Sequence, residues 1–362
     1  MNSKTSAPPL VMSVLLLAGV FIVLLAMRAS NEILAPILMA FVLAISTTPL
    51  LYWFMKKGAA AWLALLLTIG VLVVIIVGLV WLVGSSVQDF GQTIAKYEDR
   101  VNEIEQGLGG MLTQLGVDVD NLAADQFTEP KQLLEVAAGF AGGVVSGLSN
   151  WGLIIMTSIF FLVEAITMPR KVRSVTQEGD PDVQRFFRLT EGLRQYMVIN
   201  AGVGALAAVF NVIFLAIMGV EFAVLWGVLS FFFSFVPNIG FIISVIPPAI
   251  MALLQFGVTE MLIVIGAYII INFLVDNVIK PRFIEESVNI SATMTFLSLI
   301  VWGWVLGPIG AILAVPMAII VQAGLGSRKE TRWLAYMMGT GSEPFEPEEA
   351  EDDQNVLAED VA

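Results

Sequence analysis

Asn272, Asp276 and Asn277 are the residues of this chain best suited to chemistry in an apolar setting. Asn272 and Asp276 are four residues apart, so on a helix they share one face. An ionisable side chain in a membrane segment is costly to hold there, and that cost makes it a functional candidate. Asn238, between two apolar runs, adds a neutral amide, and Asn200 and Asn211 lie in the run before it. Ser234, Ser291, Thr293, Thr295 and Ser298 add hydroxyls. Together these groups suit a small, polar, uncharged, oxygen-rich solute. Their competing use is hydrogen bonding between helices, which polar residues do routinely in membrane bundles. Glu164 is the other carboxylate near an apolar core, one turn from the end of its segment, where it could reach the interface.

Reaction chemistry has few parts to work with. The chain has no histidine and no cysteine. Thiol nucleophiles, Cys/His zinc sites and imidazole acid–base chemistry are therefore excluded. The Asn and Ser groups lack an activating base, and an intramembrane aspartate pair would need a second core Asp. The P-loop, GxSxG and HExxH patterns are absent. The expectation is a protein without enzymatic activity, cofactor or metal. The net charge of −13 lies outside the apolar runs, so nucleic acid is not an expected partner.

The elements that must position these groups are membrane segments. Hydrophobic residues make up 57% of the 362 residues and charged ones 14%, far from the balance of a soluble domain. Several runs approach the roughly 18 apolar residues that mark a membrane helix. The expected fold class is all-α, a polytopic membrane protein with lipid as its surroundings. Residues 1–84 should hold three membrane helices: Leu10 to Met27, Ile33 to Met55 with Pro36 and Pro49 kinking or ending it, and Ala59 to Gly84. Residues 85–150 form a polar segment in which Ile94, Tyr97, Val101, Ile104, Leu108, Met111 and Leu115 alternate at spacings of three and four. That heptad seam favours packing within the chain, between subunits or on the membrane surface. Residues 151–195 should contain a fourth helix, Trp151 to Met168, and a basic linker with a short helix from Pro181.

Residues 196–325 carry the unusual feature. After a span from Tyr196 to Met218 come two arms, Phe222 to Val236 and Phe241 to Gln255, joined by Pro237-Asn238-Ile239-Gly240. A 15-residue arm reaches about 22 Å, against a bilayer core of about 30 Å. A hairpin dipping into the membrane, spanning 222–255, is one reading; two short tilted spans is the other. A span from Met261 to Val275 follows. Then Ala292 to Leu306 and Ile309 to Gln322, joined by Gly307-Pro308, repeat the pattern over 292–322. Pro237, Gly240 and Pro247 would shape the first break, and Gly307, Pro308, Gly310 and Pro316 the second. Two broken segments in opposite orientation point to an inverted repeat with a binding site where they meet. The plainer account is that Pro and Gly are common in membrane helices.

Loop charge sets the expected orientation. Lys56-Lys57, the Arg170 to Arg194 linker, Lys280 to Arg282 and Arg328 to Arg332 are basic, whereas 85–150 holds three basic and ten acidic residues. Basic loops stay cytoplasmic, so both termini should be inside. Residues 326–362 end in an acidic tail, nine carboxylates with no basic residue from Gly341, expected to be disordered and either simply solvated or partner-docking.

Two strings carry a resemblance. Phe235-Val236-Pro237-Asn238-Ile239-Gly240 with Ile246-Pro247, and Asp276-Asn277-Val278-Ile279-Lys280-Pro281 with Gly307-Pro308-Ile309-Gly310 and Ala314-Val315-Pro316, resemble signatures of the autoinducer-2 exporter family of bacterial permeases, the PerM-like transporters. The resemblance covers the order of spans from Leu10 to about Gly324. It implies about eight membrane segments, a homo-oligomer (pentameric in the family) in the bacterial inner membrane, elevator-like movement and export of autoinducer-2 or a related solute. Some relatives are regarded as sodium/proton antiporters, which is the alternative within transport. A non-transporting membrane scaffold is the alternative of another class. Two positions depart from the pattern. Asp276 stands where Glu is usual, and Asn289-Ile290-Ser291 replaces a His-Pro pair, which removes any His-dependent coupling.

Overall fold

The computed structural model describes residues 9–94, 97, 151–175, 181–237, 239–282, 289–328 and 330–341. Asn238, the heptad positions beyond Tyr97 and the acidic tail from 342 lie outside the described residues. The described residues are all helix and turn, without strands.

Three helices open the chain: α1 (Pro9–Ala29), α2 (Asn31–Lys56) and α3 (Ala61–Ile94). α1 leans on the second broken segment, with Phe21 stacked on Trp304 and the Arg28 guanidinium 4.4 Å from the centre of the same ring. α2 runs unbroken through Pro36 and Pro49. The missing N–H of Pro49 thins the backbone ladder, and hydroxyls bond carbonyls just before it: Ser46 to Val42 and Thr48 to Ala44, at 2.6 and 2.8 Å. α3 continues ten residues past its expected end at Gly84, because Ser85 to Ile94 contains no helix breaker except Gly91.

α4 (Trp151–Val175) packs along α2, and the Ser158 hydroxyl donates to the Ala40 carbonyl across that contact. α5 (Pro181–Met218) is one helix of 38 residues. The separate short helix expected at Pro181 is its first turns. With Pro at the favoured first position and only Gly192 before the apolar run, nothing stops the helix. Five helices among the described residues are long and apolar enough to cross a bilayer. Their outward faces carry exposed Leu, Ile, Val and Phe, as lipid allows. Small residues let the inner faces approach, with Ala40, Ala44, Ala64 and Ala207 buried.

The first broken segment is α6 (Ala223–Phe233) and α7 (Gly240–Gln255). α6 has 11 residues, shorter than the 15 expected of that arm. It spans about 16 Å and is too short to cross a bilayer core of about 30 Å. α8 (Val258–Leu274) continues into a π-helical turn, Val275–Ile279, and a 3-10 turn, Lys280–Arg282. The second broken segment is α9 (Ala292–Leu306), α10 (Pro308–Ile312) and α11 (Ala314–Gly326), followed by the short α12 (Arg332–Met337).

α5 is the ruler against which the two broken segments are aligned. Its C-terminal part, at Leu215, is buried with Leu225, Trp226, Leu229, Met251 and Ala252 of the first. Its N-terminal part, at Leu193, is buried with Val315 and Ile319 of the second, with Ile290 alongside. The hairpins thus open toward opposite ends of α5. Near their tips they share one cluster: Phe235 of the first, Leu313 and Met317 of the second, Met197 of α5, and Met39 and Val42 of α2.

Candidate functional site

The first tip is built by close approach. A Cβ on Gly240 would lie 1.8 Å from the Phe233 carbonyl oxygen, so only glycine fits where α7 begins against the end of α6. Ser234 turns its hydroxyl back to the Phe231 carbonyl at 2.7 Å. Its own carbonyl accepts from the buried Asn200 amide at 3.3 Å, tying the turn to α5. Gly204 of α5 makes room, because a Cβ there would meet the Ser234 Oγ at 2.1 Å. Pro247 and Pro248 lie inside α7 and are buried. Their missing N–H groups leave the Ile243 and Ser244 carbonyls without helix partners one turn back.

The second tip repeats this construction. Gly307 ends α9 with φ +68°, Pro308 starts α10, and a Cβ on Gly310 would lie 1.9 Å from the Trp302 carbonyl oxygen. Pro316 falls in the first turn of α11, where an N–H has no helical partner to lose. The buried Ser298 hydroxyl crosses from α9 to the Ala314 carbonyl at 2.6 Å.

The π turn holds Asp276 and Asn277, and Asn272 lies on α8 just before it. Pro281 cannot donate to the Asn277 carbonyl, and the Lys280 N–H reaches instead to Val275, five residues back. π turns occur frequently at functional sites. Asn272 donates to the Tyr268 carbonyl at 2.8 Å and Asn277 to the Phe273 carbonyl at 3.1 Å. Asp276 Oδ1 lies 3.6 Å from Lys280 Nζ, with the Asp side chain about half exposed. The three predicted residues therefore lie within six consecutive positions where α8 passes into the π turn, and their hydrogen bonds and ion pair reach only four residues along the same chain segment. Val275 anchors that turn against Val203 and Ala207 of α5. Glu164 is exposed on α4, eleven residues before the helix ends at Val175, and pairs with Lys171 at 2.7 Å.

Sequence reasoning passed over several polar residues. Gln255 closes the mouth of the first hairpin: its Oε1 accepts from the Glu221 N–H at 3.1 Å and its Nε2 donates to the Tyr97 hydroxyl at 3.3 Å. Gln322 does the same for the second, donating to the carbonyls of Asn289 and Ala335 at 2.8 and 3.1 Å. Both glutamines stand at the ends of apolar arms, and that position was the available signal. Ser230 and Tyr268 are buried among apolar neighbours, and nothing in their sequence setting marks them.

No group of His, Cys, Asp or Glu among the described residues could hold a metal ion. The arrangement offers shaped backbone and neutral hydrogen-bonding groups, the equipment for recognising a polar molecule.

The profile of the AI-2E family transporters matches residues 10–327. The AI-2 transport protein TqsA of Escherichia coli K12 is 28% identical over 325 residues, covering 90% of this chain and 94% of its own. YhhT of the same strain, whose designation as a transport protein is provisional, is 28% identical over 325 residues, covering 90% and 93%. A similarly designated protein of Haemophilus influenzae is 29% identical over 329 residues, covering 89% and 94%. With two oppositely directed broken hairpins and a match across nearly its whole length, this chain belongs to the AI-2E family of transporters.

Proposed function

We propose that this protein is a secondary transporter that exports a small polar solute, autoinducer-2 or a related molecule, across the bacterial inner membrane. The observation that carries the reading is the convergence of the two glycine-pinned hairpins from opposite ends of α5. Broken helices in opposite orientation are where secondary transporters bind their solutes. The designation of TqsA supports autoinducer-2 as the solute class.

In this mechanism Asn238, Asn272, Asp276 and Asn277 hydrogen-bond the solute. Pro237, Gly240, Pro247, Gly307, Pro308, Gly310 and Pro316 shape the hairpins. The core from 196 to 325 moves as a unit, elevator-like, against α1 to α4, exposing the site to each side in turn. Both termini are cytoplasmic, in keeping with the basic loops, and the protein works as a homo-oligomer. Asp276 is the group through which a coupling ion would act.

The test is flux of autoinducer-2 in proteoliposomes, with and without sodium and proton gradients, for the wild type, Asn238→Ala and Asp276→Asn. Flux that falls in both variants supports the carrier and its site. Flux unchanged in both overturns the site, and no wild-type flux under any gradient from folded protein overturns the solute.

A further inference from the structure

Three side chains of the core are buried without partners. Asn211 of α5, Ser230 of α6 and Tyr268 of α8 are exposed by only 1%, 7% and 0%. Neither the amide nitrogen nor the amide oxygen of Asn211 has a hydrogen-bond partner within the protein, and the hydroxyls of Ser230 and Tyr268 have none of good geometry. Such groups are costly to bury unless something satisfies them.

They belong to one region. Ser230 directly follows Leu229 on α6, and Leu229 packs in the cluster that contains Tyr268. Asn211 is placed by its neighbours along α5. One turn before it, Ala207 packs on α8 beside Ile271. One turn after it, Leu215 packs in the cluster that contains Tyr268 and Val264. On the α6 side, a Cβ on Gly227 would meet the Ala208 carbonyl and Val212, which flank Asn211. Ser230 is one helical turn from Gly227. Asn211, Ser230 and Tyr268 thus border the packing of α5 against α6 and α8, beside the apolar Trp226, Leu229 and Leu225.

The atoms select the chemistry. Asn211 presents donors and an acceptor, and each hydroxyl is both. A bare cation would face the amide N–H groups, and an anion would face the amide oxygen with no basic side chain among these three. A neutral hydroxyl group, which donates and accepts, satisfies the set. We propose that Asn211, Ser230 and Tyr268 form an internal binding site for a neutral hydroxyl-bearing molecule, occupied by water or by a hydroxyl of the transported solute. As a water site it stands independently; its use by a solute rests on the transport function proposed above.

The experiment is radiolytic hydroxyl labelling of the full-length protein in lipid nanodiscs, read by mass spectrometry. Water held at the site labels Tyr268 and Trp226 despite their burial. Asn211→Leu and Ser230→Ala should each reduce that labelling to the level of the apolar residues around them. Absence of label at both aromatics in the wild type overturns the proposal, as does labelling that neither variant changes. Thermal stability provides a second reading if one variant assembles poorly. A gain in stability in Asn211→Leu, with no label in the wild type, means three frustrated groups and no site.

A second arm separates the two occupants. In proteoliposomes carrying autoinducer-2, a raised KM in Ser230→Ala and Tyr268→Phe assigns a solute hydroxyl to the site, and an unchanged KM assigns water alone. If the wild type carries no autoinducer-2, the transport reading fails while the labelling result still decides the site.

Discussion

Gly240 lies so close to Phe233 that a single added methyl group would overlap the Phe233 carbonyl oxygen at 1.8 Å. Gly310 stands to Trp302 in the same way, at 1.9 Å. In both hairpins a helix start is pinned against the backbone of the preceding arm. Backbone cannot rotate aside as a side chain can. Overpacking commonly costs about 1–3 kcal/mol, and these two sites should reach or exceed the upper end. Gly240→Ala and Gly310→Ala should each lower the melting temperature in nanodiscs sharply. Gly202 and Gly266, with nothing within 4 Å of an added Cβ, should accept Ala without loss.

Gly227 provides the contrasting case. An added Cβ would meet the Val212 Cγ2 at 2.1 Å, which is a side-chain atom. Gly227→Ala should destabilise, and Val212→Ala combined with it should restore much of the loss. The measurement is a double-mutant cycle on thermal stability. Additivity of the two changes would mean that the α5–α6 contact is looser than described.

The two hairpin mouths are closed by amides from opposite directions. Gln322 bonds the carbonyls of Asn289 and Ala335, while Asn289 Oδ1 accepts from the N–H and hydroxyl of Thr340, both at 2.7 Å. The Ser291 N–H donates to Met338 at 2.9 Å. The C-terminal helix α12 is therefore strapped across the second mouth. Gln322→Leu should leave the membrane helices assembled and speed hydrogen exchange at Ser291 and in α12. Unchanged exchange would assign the strap to apolar packing alone.

The broad architecture was legible because apolar run length fixes where helices lie, and the Pro/Gly breaks at Pro237 and Pro308 cannot be read as continuous helix. The π turn was not legible. Asp276 and Asn277 looked like a helix end, since a proline at 281 reads as a terminator; its missing N–H instead shifted the Lys280 bond back to Val275. Asn272 bonds back to the Tyr268 carbonyl and Asp276 pairs forward with Lys280, each along its own chain segment. Tyr268 and Ser230 were hidden because burial depends on which faces of α5, α6 and α8 meet, and that is set by tertiary packing.

Tyr97 links the end of α3 to the first mouth. Partial burial, with the Glu221 charge adding to it, raises its phenol above the ordinary value of 10.0 despite the opposing hydrogen bond from Gln255. The folded state therefore holds the proton more tightly than the unfolded chain. That contribution is full below pH 10 and is lost as pH rises beyond it. Hydrogen exchange at the α7 end should quicken between about pH 9.5 and 11, around a tyrosine pKa of about 10, by more than the intrinsic rise of amide exchange with pH. Tyr97→Phe should flatten that pH dependence.

The Asp276 side chain is about half exposed and that of Lys280 partly so, and a pair of this kind contributes about 0–1 kcal/mol. Asp276→Asn should therefore insert, assemble and melt like the wild type. On the proposed transport role its flux should fall. Lys280→Gln separates the two roles. It removes the same ion pair and leaves the carboxylate in place, so a pair that is merely structural predicts equal flux in both variants. A functional Asp276 predicts that flux falls in Asp276→Asn and is largely kept in Lys280→Gln, at equal amounts of folded protein.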